Sequence, residues 1–290
     1  MRQLSAFGLL LGLSACASMG RNPAPLAVID AHTHADFDGK PEAASGILFT
    51  REQYLQEMGK AGVVGAVAHT DEYEKGYADL REHGVVHCAG IRDAVDAARL
   101  EAGLRSGRYA CVKIYLGYVY RYAHDPIYDP VYRLAETYDV PVVFHTGDTY
   151  EARGKLKYAD PLTIDEVAVD HPKVNFVLAH CGNPWIQSAA EVAYKNPNVY
   201  LDSSALLIGR LNELPRETVD EYLVRPLAWV FGYLENPSKL MFGSDWPLSD
   251  MASSIEAVKR AIPKQHWRAV FHDNAADVFK IKPSKGPLRN

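Results

Sequence analysis

Eight short apolar runs recur along the chain, and polar stretches separate them. Each run is nearly continuous in apolar residues, which is typical of strands that are buried on both faces of a parallel sheet. They cover residues 26–32, 63–68, 85–89, 109–116, 141–145, 174–180, 199–203 and 240–245. The pattern therefore predicts eight buried strands.

Helix signals lie in the stretches between these strands. Thr50 and Gln53 have the spacing of a capping box, and Asp129 with Pro130 supplies an N-cap and a first-turn proline. Predicted helices cover residues 50–61, 71–83, 93–106, 129–138, 163–171, 251–261 and 265–279. The alternation over residues 26–280 predicts an α/β protein that folds as a single-domain (β/α)8 TIM barrel. A doubly wound open sheet would normally have a glycine-rich turn after its first strand, and this chain has none there.

Residues 1–15 have the pattern of a secretory signal, with Arg2 before an apolar segment too short to span a bilayer. Residues 13–16, Leu-Ser-Ala-Cys, resemble the bacterial lipobox, which implies that Cys16 is lipidated and becomes the mature N-terminus. We expect an outer-membrane lipoprotein that contacts the membrane through this lipid only, with residues 16–25 as a tether and 281–290 as a tail. Residues 15–17 also fit an ordinary cleavage site, and a soluble periplasmic protein is the alternative.

The composition is that of a globular protein for which nucleic acid is not an expected partner. The 290 residues are 48% hydrophobic and carry a formal net charge of -5, so no basic excess is available to neutralise phosphates. Exported proteins that depend on disulfides usually have an even, denser set of cysteines. We therefore expect Cys88, Cys111 and Cys181 to be buried without bridges. No Cys-x-x-Cys pair is present, which argues against a structural zinc site.

Polar residues stand where several of the predicted strands end, and this is where a barrel of this kind carries its chemistry. His32 and His34 are two residues apart, so both side chains lie on one face of the first strand. Taken singly, such residues have ordinary explanations: a hydrogen-bonded histidine, an aspartate that caps a turn, or a lysine that points outward. Together they predict a metal site. The other members are Lys113, His145, His180 and Asp245.

These residues occur in the order and strand context of the amidohydrolase superfamily. The flanking segments, residues 112–115, 141–147 and 243–247, resemble its amidohydrolase-related (amidohydrolase 2) branch. That branch includes decarboxylases of carboxylated aromatic or muconate-type acids, hydratases, and lactonases that dispense with metal. The resemblance covers roughly residues 26–280 and implies a metal-dependent hydrolase or lyase.

Ligand chemistry assigns roles to the predicted set. A divalent ion, with Zn²⁺ favoured, would be held by His32, His34, His145 and Asp245, with one position open for water or substrate. Such an ion lowers the pKa of its bound water to about 7, and Asp245 would accept the proton. His180 is either a ligand of a second metal or a group that polarises the substrate and moves protons.

The chemical state of Lys113, carboxylated or unmodified, separates a two-metal site from a one-metal site. In some superfamily members a lysine at the end of the fourth strand is carboxylated and bridges two ions, whereas in others one ion suffices. An unmodified Lys113 would repel a nearby cation and could instead hold a substrate carboxylate. We expect one metal, because the branch that this chain resembles works that way.

Candidate substrate contacts follow the strands that carry ligands. Long loops at this face are usually functional, and an aromatic and cationic lining would suit a small carboxylate. The alternatives are solvated charges for the loop residues and core packing for the tryptophan. The candidates are Tyr115, Arg121, Arg153 and Trp246.

Three functions fit the sequence. The first is hydrolysis of a small amide, ester or lactone by metal-activated water. The second is metal-dependent decarboxylation of a small carboxylated aromatic or unsaturated acid. The third is a catalytically silent binding lipoprotein, which the full set of ligand types argues against. Barrels of this kind often pair, so a homodimer is compatible with each.

Overall fold

Eight parallel strands form the inner cylinder of the molecule. The computed structural model describes residues 26–69 and 76–282. Within these ranges every strand pairs in parallel with the next one along the chain, from first to last. This confirms the predicted single-domain (β/α)8 barrel. The strands are β1 (Val28–Thr33), β2 (Val63–His69), β3 (Val85–Ile91), β4 (Cys111–Ile114), β5 (Val142–Phe144), β6 (Phe176–Leu178), β7 (Val199–Asp202) and β8 (Leu240–Met241).

The last strand is much shorter than predicted, and irregular backbone completes its pairing with β1. Ala31 N–H donates to the carbonyl of Phe242 at 2.8 Å, and Asp245 N–H donates to the carbonyl of His32 at 2.9 Å. Asp245 has a φ of 60°, in the left-handed region, which a regular strand cannot include. The cylinder is thus nearly closed, and Asp245 is held directly against the end of β1.

Helices surround the strands on the outside. Thr50 caps the first helix as predicted, because its hydroxyl accepts from Gln53 N–H at 3.2 Å. Two helical stretches, 186–195 and 216–234, were not predicted. The helices of the described residues are α1 (Arg51–Ala61), α2 (Ala97–Arg105), α3 (Asp129–Tyr138), α4 (Ile164–Asp170), α5 (Ile186–Lys195), α6 (Arg216–Val219), α7 (Arg225–Leu234), α8 (Met251–Ala261) and α9 (Asn274–Phe279).

The predicted helix over residues 71–83 is wrong in its described part. Residues 71–75 lie outside the described ranges, and the remainder contains one 3-10 turn, Arg81–His83. Ala78 N–H donates to the carbonyl of Ala35 at 3.1 Å, so this segment pairs with the loop after β1 instead of coiling on itself.

The barrel interior contains a disulfide that the sequence analysis did not expect. Cys88 and Cys111 face each other across the β3–β4 pair, with Cα atoms 4.3 Å apart, and they are bridged. The expectation of three unbridged cysteines was therefore wrong for this pair. Parallel register places both side chains on the inner face, where the sequence count gave no sign of pairing. Cys181 is free and buried, as expected.

The predictions for the N-terminus lie outside the described residues. They are the signal peptide at 1–15, the lipidation of Cys16 and the tether at 16–25; most of the predicted tail is outside as well. Ile281 is described, and its side chain packs in the interior cluster with Val278 and Phe279. Within residues 26–69 and 76–282, no helix has the length and apolar character needed to cross a membrane.

Candidate active site

His32, His34 and Asp245 meet at the carboxyl ends of β1 and β8. The Oδ1 atom of Asp245 lies 3.1 Å from Nε2 of His34 and 3.6 Å from Nε2 of His32. One donor atom from each of the three residues lies within 4.8 Å of the others. Residues far apart in the sequence therefore present two imidazole nitrogens and a carboxylate to one point.

The ring of His32 is held in a defined orientation. Its Nδ1 lies 2.9 Å from Oδ2 of Asp202, which has no exposed surface. Burial, together with the charge of Lys113, lowers the pKa of His32 well below its usual value, so the ring is neutral. Nδ1 then donates to Asp202, and Nε2 keeps the lone pair that faces Asp245.

Asp245 remains an ionised carboxylate although it is buried. Burial alone would raise the pKa of Asp245, but the surrounding imidazoles, with His34 hydrogen-bonded to the carboxylate, lower it instead. The hydrogen bond with Asp245 also raises the pKa of His34, against the opposing effect of burial. The site thus contains a negative charge in direct contact with imidazole donors.

His145 and His180 border the same cavity from β5 and β6. The Nδ1 atom of His145 donates to the carbonyl of Leu116 at 2.9 Å, which leaves its Nε2 with a lone pair. The His145 and His180 ring centroids are 5.2 Å apart. Among the described residues, His145 is not within the closest donor group of His32, His34 and Asp245. The predicted ligands therefore share one cavity, with His145 further out than the other three.

Lys113 points into the barrel and not outward. Its side chain is 1% exposed, and its Nζ lies 3.4 Å from Nε2 of His32. Burial lowers the pKa of Lys113 to about 8. The lysine therefore lies beside His32 in the lining of the same cavity.

The site opens into a cavity of about 530 Å³. One wall is apolar and consists of residues 205–208 from the loop after β7, together with Leu248. The lining also includes Tyr115, Tyr118 and Arg92, and the guanidinium of Arg92 lies 4.5 Å from the centre of the Tyr115 ring. This size and mixture of groups suit a small molecule.

Of the predicted substrate contacts, only Tyr115 lies in the wall of this cavity. Arg121 donates to Asp125 at 3.1 Å instead, and Arg153 is not among the lining residues. Trp246 is completely buried and packs edge-on against the Tyr54 ring, with the centroids 4.9 Å apart. The core-packing alternative therefore describes Trp246, because its ring packs among other aromatic rings and does not line the cavity.

The sequence analysis missed two polar residues at this face, and the signal for both was present. Asp202 is the last residue of β7, the same position that identified the other candidates. His69 ends β2, one residue beyond the predicted end of that strand. Its Nε2 lies 3.1 Å from the carbonyl of Ala31, whereas its buried Nδ1 has no hydrogen-bond partner among the described residues.

A model of the amidohydrolase family, Amidohydro_2, matches residues 29–281 of the chain. This range includes every strand apart from the first residue of β1, and it includes every predicted ligand. The chain belongs to the amidohydrolase family. No curated protein sequence gives a match.

Several solved structures share the fold of this amidohydrolase at low sequence identity. An uncharacterised TIM-barrel protein from Bordetella bronchiseptica is 19% identical, with a TM-score of 0.66 over 88% of this chain and 99% of that one. A probable 2-pyrone-4,6-dicarboxylic acid hydrolase from Acinetobacter baumannii is 15% identical, with a TM-score of 0.63 over 88% and 99%. A 5-carboxyvanillate decarboxylase from Novosphingobium aromaticivorans with bound manganese is 12% identical, with a TM-score of 0.59 over 88% and 96%.

The residues of the amidohydrolase site fit a divalent metal ion. His32 and His145 each engage Nδ1 with a neighbouring oxygen, so each presents Nε2 with its lone pair. His34 and the ionised carboxylate of Asp245 complete a set of nitrogen and oxygen donors. Imidazole and carboxylate ligands suit zinc, manganese and iron alike, so the donor set indicates a divalent metal without selecting one.

Proposed function

We propose that this amidohydrolase is a metal-dependent hydrolase that acts on a small amide, ester or lactone. The observation that carries the proposal is the contact of the Asp245 carboxylate with the two imidazoles of β1, at 3.1 and 3.6 Å. A carboxylate in this position can accept a proton from an attacking water and return it to the leaving group. The family and the hydrolases among its structural neighbours support the proposal.

Four residues would hold one Zn²⁺ ion: His32, His34, His145 and Asp245. When bound, the ion supplies Lewis acidity toward the substrate carbonyl and lowers the pKa of water. The apolar wall at residues 205–208 would exclude bulk water from one side of the substrate. His180, whose ring lies between those of His32 and His145, would contact the reacting oxygen.

Lys113 remains unmodified in this proposal. Its Nζ is close to Nε2 of His32, which places it within reach of a substrate carboxylate or carbonyl oxygen at the cavity floor. A carboxylated Lys113 that bridges two ions is the competing arrangement. Metal stoichiometry separates the two: about one equivalent supports the proposal, and about two supports the bridged pair.

A second candidate, decarboxylation of a small carboxylated aromatic acid, is favoured by one observation. The Arg92 guanidinium and the Tyr115 ring lie together at the cavity wall, where they offer a charge for a carboxylate and a face for an aromatic ring. The 5-carboxyvanillate decarboxylase from Sphingomonas paucimobilis, 14% identical with a TM-score of 0.60 over 89% of this chain and 100% of that one, is a structural neighbour. This reaction releases carbon dioxide and adds no water across a bond.

One experiment tests both candidates. Metal-loaded protein is assayed against a panel of lactones, esters and amides, and against carboxylated aromatic acids with detection of carbon dioxide. Hydrolysis that is lost in Asp245→Asn, and retained in the exposed control Asp38→Asn, supports the first proposal. Carbon dioxide release without hydrolysis supports the second. A purified protein that holds no metal and turns over neither set supports the silent binding lipoprotein and defeats both.

We also propose that the protein is lipidated at Cys16 and faces the periplasm from the outer membrane. The support is the lipobox-like sequence alone. Mass spectrometry of the mature N-terminus tests it. A diacylglyceryl cysteine at Cys16 is the expected result, and a free N-terminus in a soluble periplasmic fraction would overturn it.

A further inference from the structure

Asp202 accepts hydrogen bonds on both carboxylate oxygens at the active-site face. It is fully buried at the end of β7. Its Oδ2 lies 2.9 Å from Nδ1 of His32. Its Oδ1 accepts from His180 N–H at 3.0 Å, from Ser204 N–H at 3.1 Å and from the Ser204 hydroxyl at 2.5 Å. One side chain therefore contacts both His32 and the segment that carries His180.

The Ser204 hydroxyl determines which nitrogen of His180 carries the proton. Oδ1 of Asp202 already accepts from two backbone N–H groups, so it carries no proton of its own, and the single hydroxyl proton of Ser204 points to it. The same oxygen lies 2.8 Å from Nδ1 of His180, and it can only accept there. Nδ1 of His180 must then carry a hydrogen, and Nε2 has the lone pair.

The backbone at His180 also depends on Asp202. His180 and Cys181 have φ values of 63° and 46°, in the left-handed backbone region that residues other than glycine seldom adopt. The Asp202 carboxylate accepts from the backbone N–H of His180, and its carbonyl accepts from the Cys181 thiol at 3.1 Å. Asp202 thus supports the turn that aligns the His180 ring with Ser204.

We propose that Asp202 and Ser204 are positioning residues that hold His32 and His180 in the same tautomer, with Nδ1 protonated and Nε2 carrying the lone pair. The inference rests on the proposed function and sharpens one role within it. A neutral His180 in this tautomer receives a proton or binds a cation through Nε2, and it does not donate a proton from that atom. His180 therefore enters the reaction as an acceptor, while Asp202 and Ser204 act only through the histidines.

Nitrogen-15 NMR of the histidine side chains tests the assignment in the zinc-loaded full-length protein without substrate. The expected spectrum shows protonated Nδ1 and unprotonated Nε2 for both His32 and His180. Ser204→Ala should release His180 into a mixture of tautomers and leave His32 unchanged, whereas Ser204→Thr, which keeps the hydroxyl, should restore the wild-type signals. Ser203→Ala is the matched control, because Ser203 is also buried on the same loop, where its hydroxyl accepts from Gly243 N–H at 3.4 Å and not from a histidine.

Asp202→Asn should alter both histidines, and the Ser204 variants decide the question if that protein does not fold. A protonated Nε2 on His180 in the wild type, or identical spectra for Ser204→Ala and Ser203→Ala, would overturn the inference. In kinetics, Ser204→Ala should lower kcat by about 10- to 100-fold while KM changes by less than about twofold. The spectra need no turnover, so a protein that hydrolyses nothing but shows the expected tautomers would refute the proposed function alone.

Discussion

The Nζ atom of Lys113 lies 3.4 Å from the Nε2 atom of His32, inside the barrel and almost shielded from solvent. A positive charge there opposes the binding of a cation by the same imidazole. Its burial also disfavours the protonated form of the lysine itself, which lowers the pKa of Lys113 to about 8. Burying the charge of Lys113 at this position therefore destabilises the folded protein, which indicates that the lysine has a functional role.

Replacing Lys113 with methionine should stabilise the metal-free protein at neutral pH. Below pH of about 8 the lysine is protonated in both the folded and unfolded chains, so the cost of burying its charge is fully present. Between pH of about 8 and 10.5 the unfolded chain binds more protons, and the wild type gains stability as pH rises. The advantage of Lys113→Met, on the order of 3 kcal/mol at pH 7, should disappear over that interval.

Urea unfolding at several pH values measures this difference. Lys239→Met is the matched control, because burial also lowers the pKa of Lys239 to about 8. Its Nζ donates to the carbonyls of Asn196, Pro197 and Val199, so its replacement should destabilise the protein. A pH-independent difference between wild type and Lys113→Met would contradict the prediction.

The Cys88–Cys111 disulfide should contribute substantially to stability. It closes a loop with a sequence separation of 23 residues, and a loop of that size corresponds to about 3 kcal/mol in the chain-entropy description. We expect Cys88→Ala/Cys111→Ala to lower the free energy of unfolding by roughly that amount. Wild-type protein unfolded with a reductant present should approach the double variant, whereas the double variant should not respond to reductant. Equal stability of wild type and variant would show that the bridge adds nothing.

The barrel was predictable because its signals are local. Buried parallel strands are continuous apolar runs, and the helix that begins after Thr50 has its cap three residues from Gln53. The order of the strands follows from chain order in this fold, so the predicted ligands had to reach one face. His32, Lys113 and Asp245 could thus be assigned to the same face of the barrel from the sequence alone.

The rest depends on contacts between distant residues. The disulfide requires the β3–β4 register to set Cys88 opposite Cys111, which no sequence spacing encodes. The direction of Trp246 is set by the backbone after β8, where Asp245 adopts a left-handed conformation. Asp202 was missed for a different reason: the predicted strand ran one residue further, to Ser203, so Asp202 did not stand at its end.

Gly147, two residues after His145, lies where the backbone leaves no room for a side chain. Its φ is 92°, and a Cβ atom would lie 2.2 Å from the carbonyl oxygen of Asn183. Gly147→Ala should therefore cost about 3 kcal/mol or more, because backbone must move on both sides. Gly107 also has a positive φ, but no atom of the described residues lies within 4 Å of the position that a Cβ would take, so Gly107→Ala should cost only about 1 to 2 kcal/mol. Thermal unfolding of both variants separates the steric clash, which is expected only in Gly147→Ala, from the strain of a positive φ, which is expected in both. Equal losses of stability would exclude the clash.

Removing His34 should weaken metal binding far more than removing a histidine elsewhere. His34 contacts Asp245 at 3.1 Å and supplies one of the three closest donors. Loss of a group that only orients a ligand costs about 10- to 100-fold in affinity, so loss of the ligand itself should cost more than about a hundredfold. His272→Ala is the control, since His272 pairs with Asp273 away from the cavity. Competition for zinc against a chelator gives both affinities, with circular dichroism confirming that each variant is folded. If the two variants bound zinc equally well, His34 would not be a ligand, and the donor set would have to be rebuilt from His32, His145, His180 and Asp245.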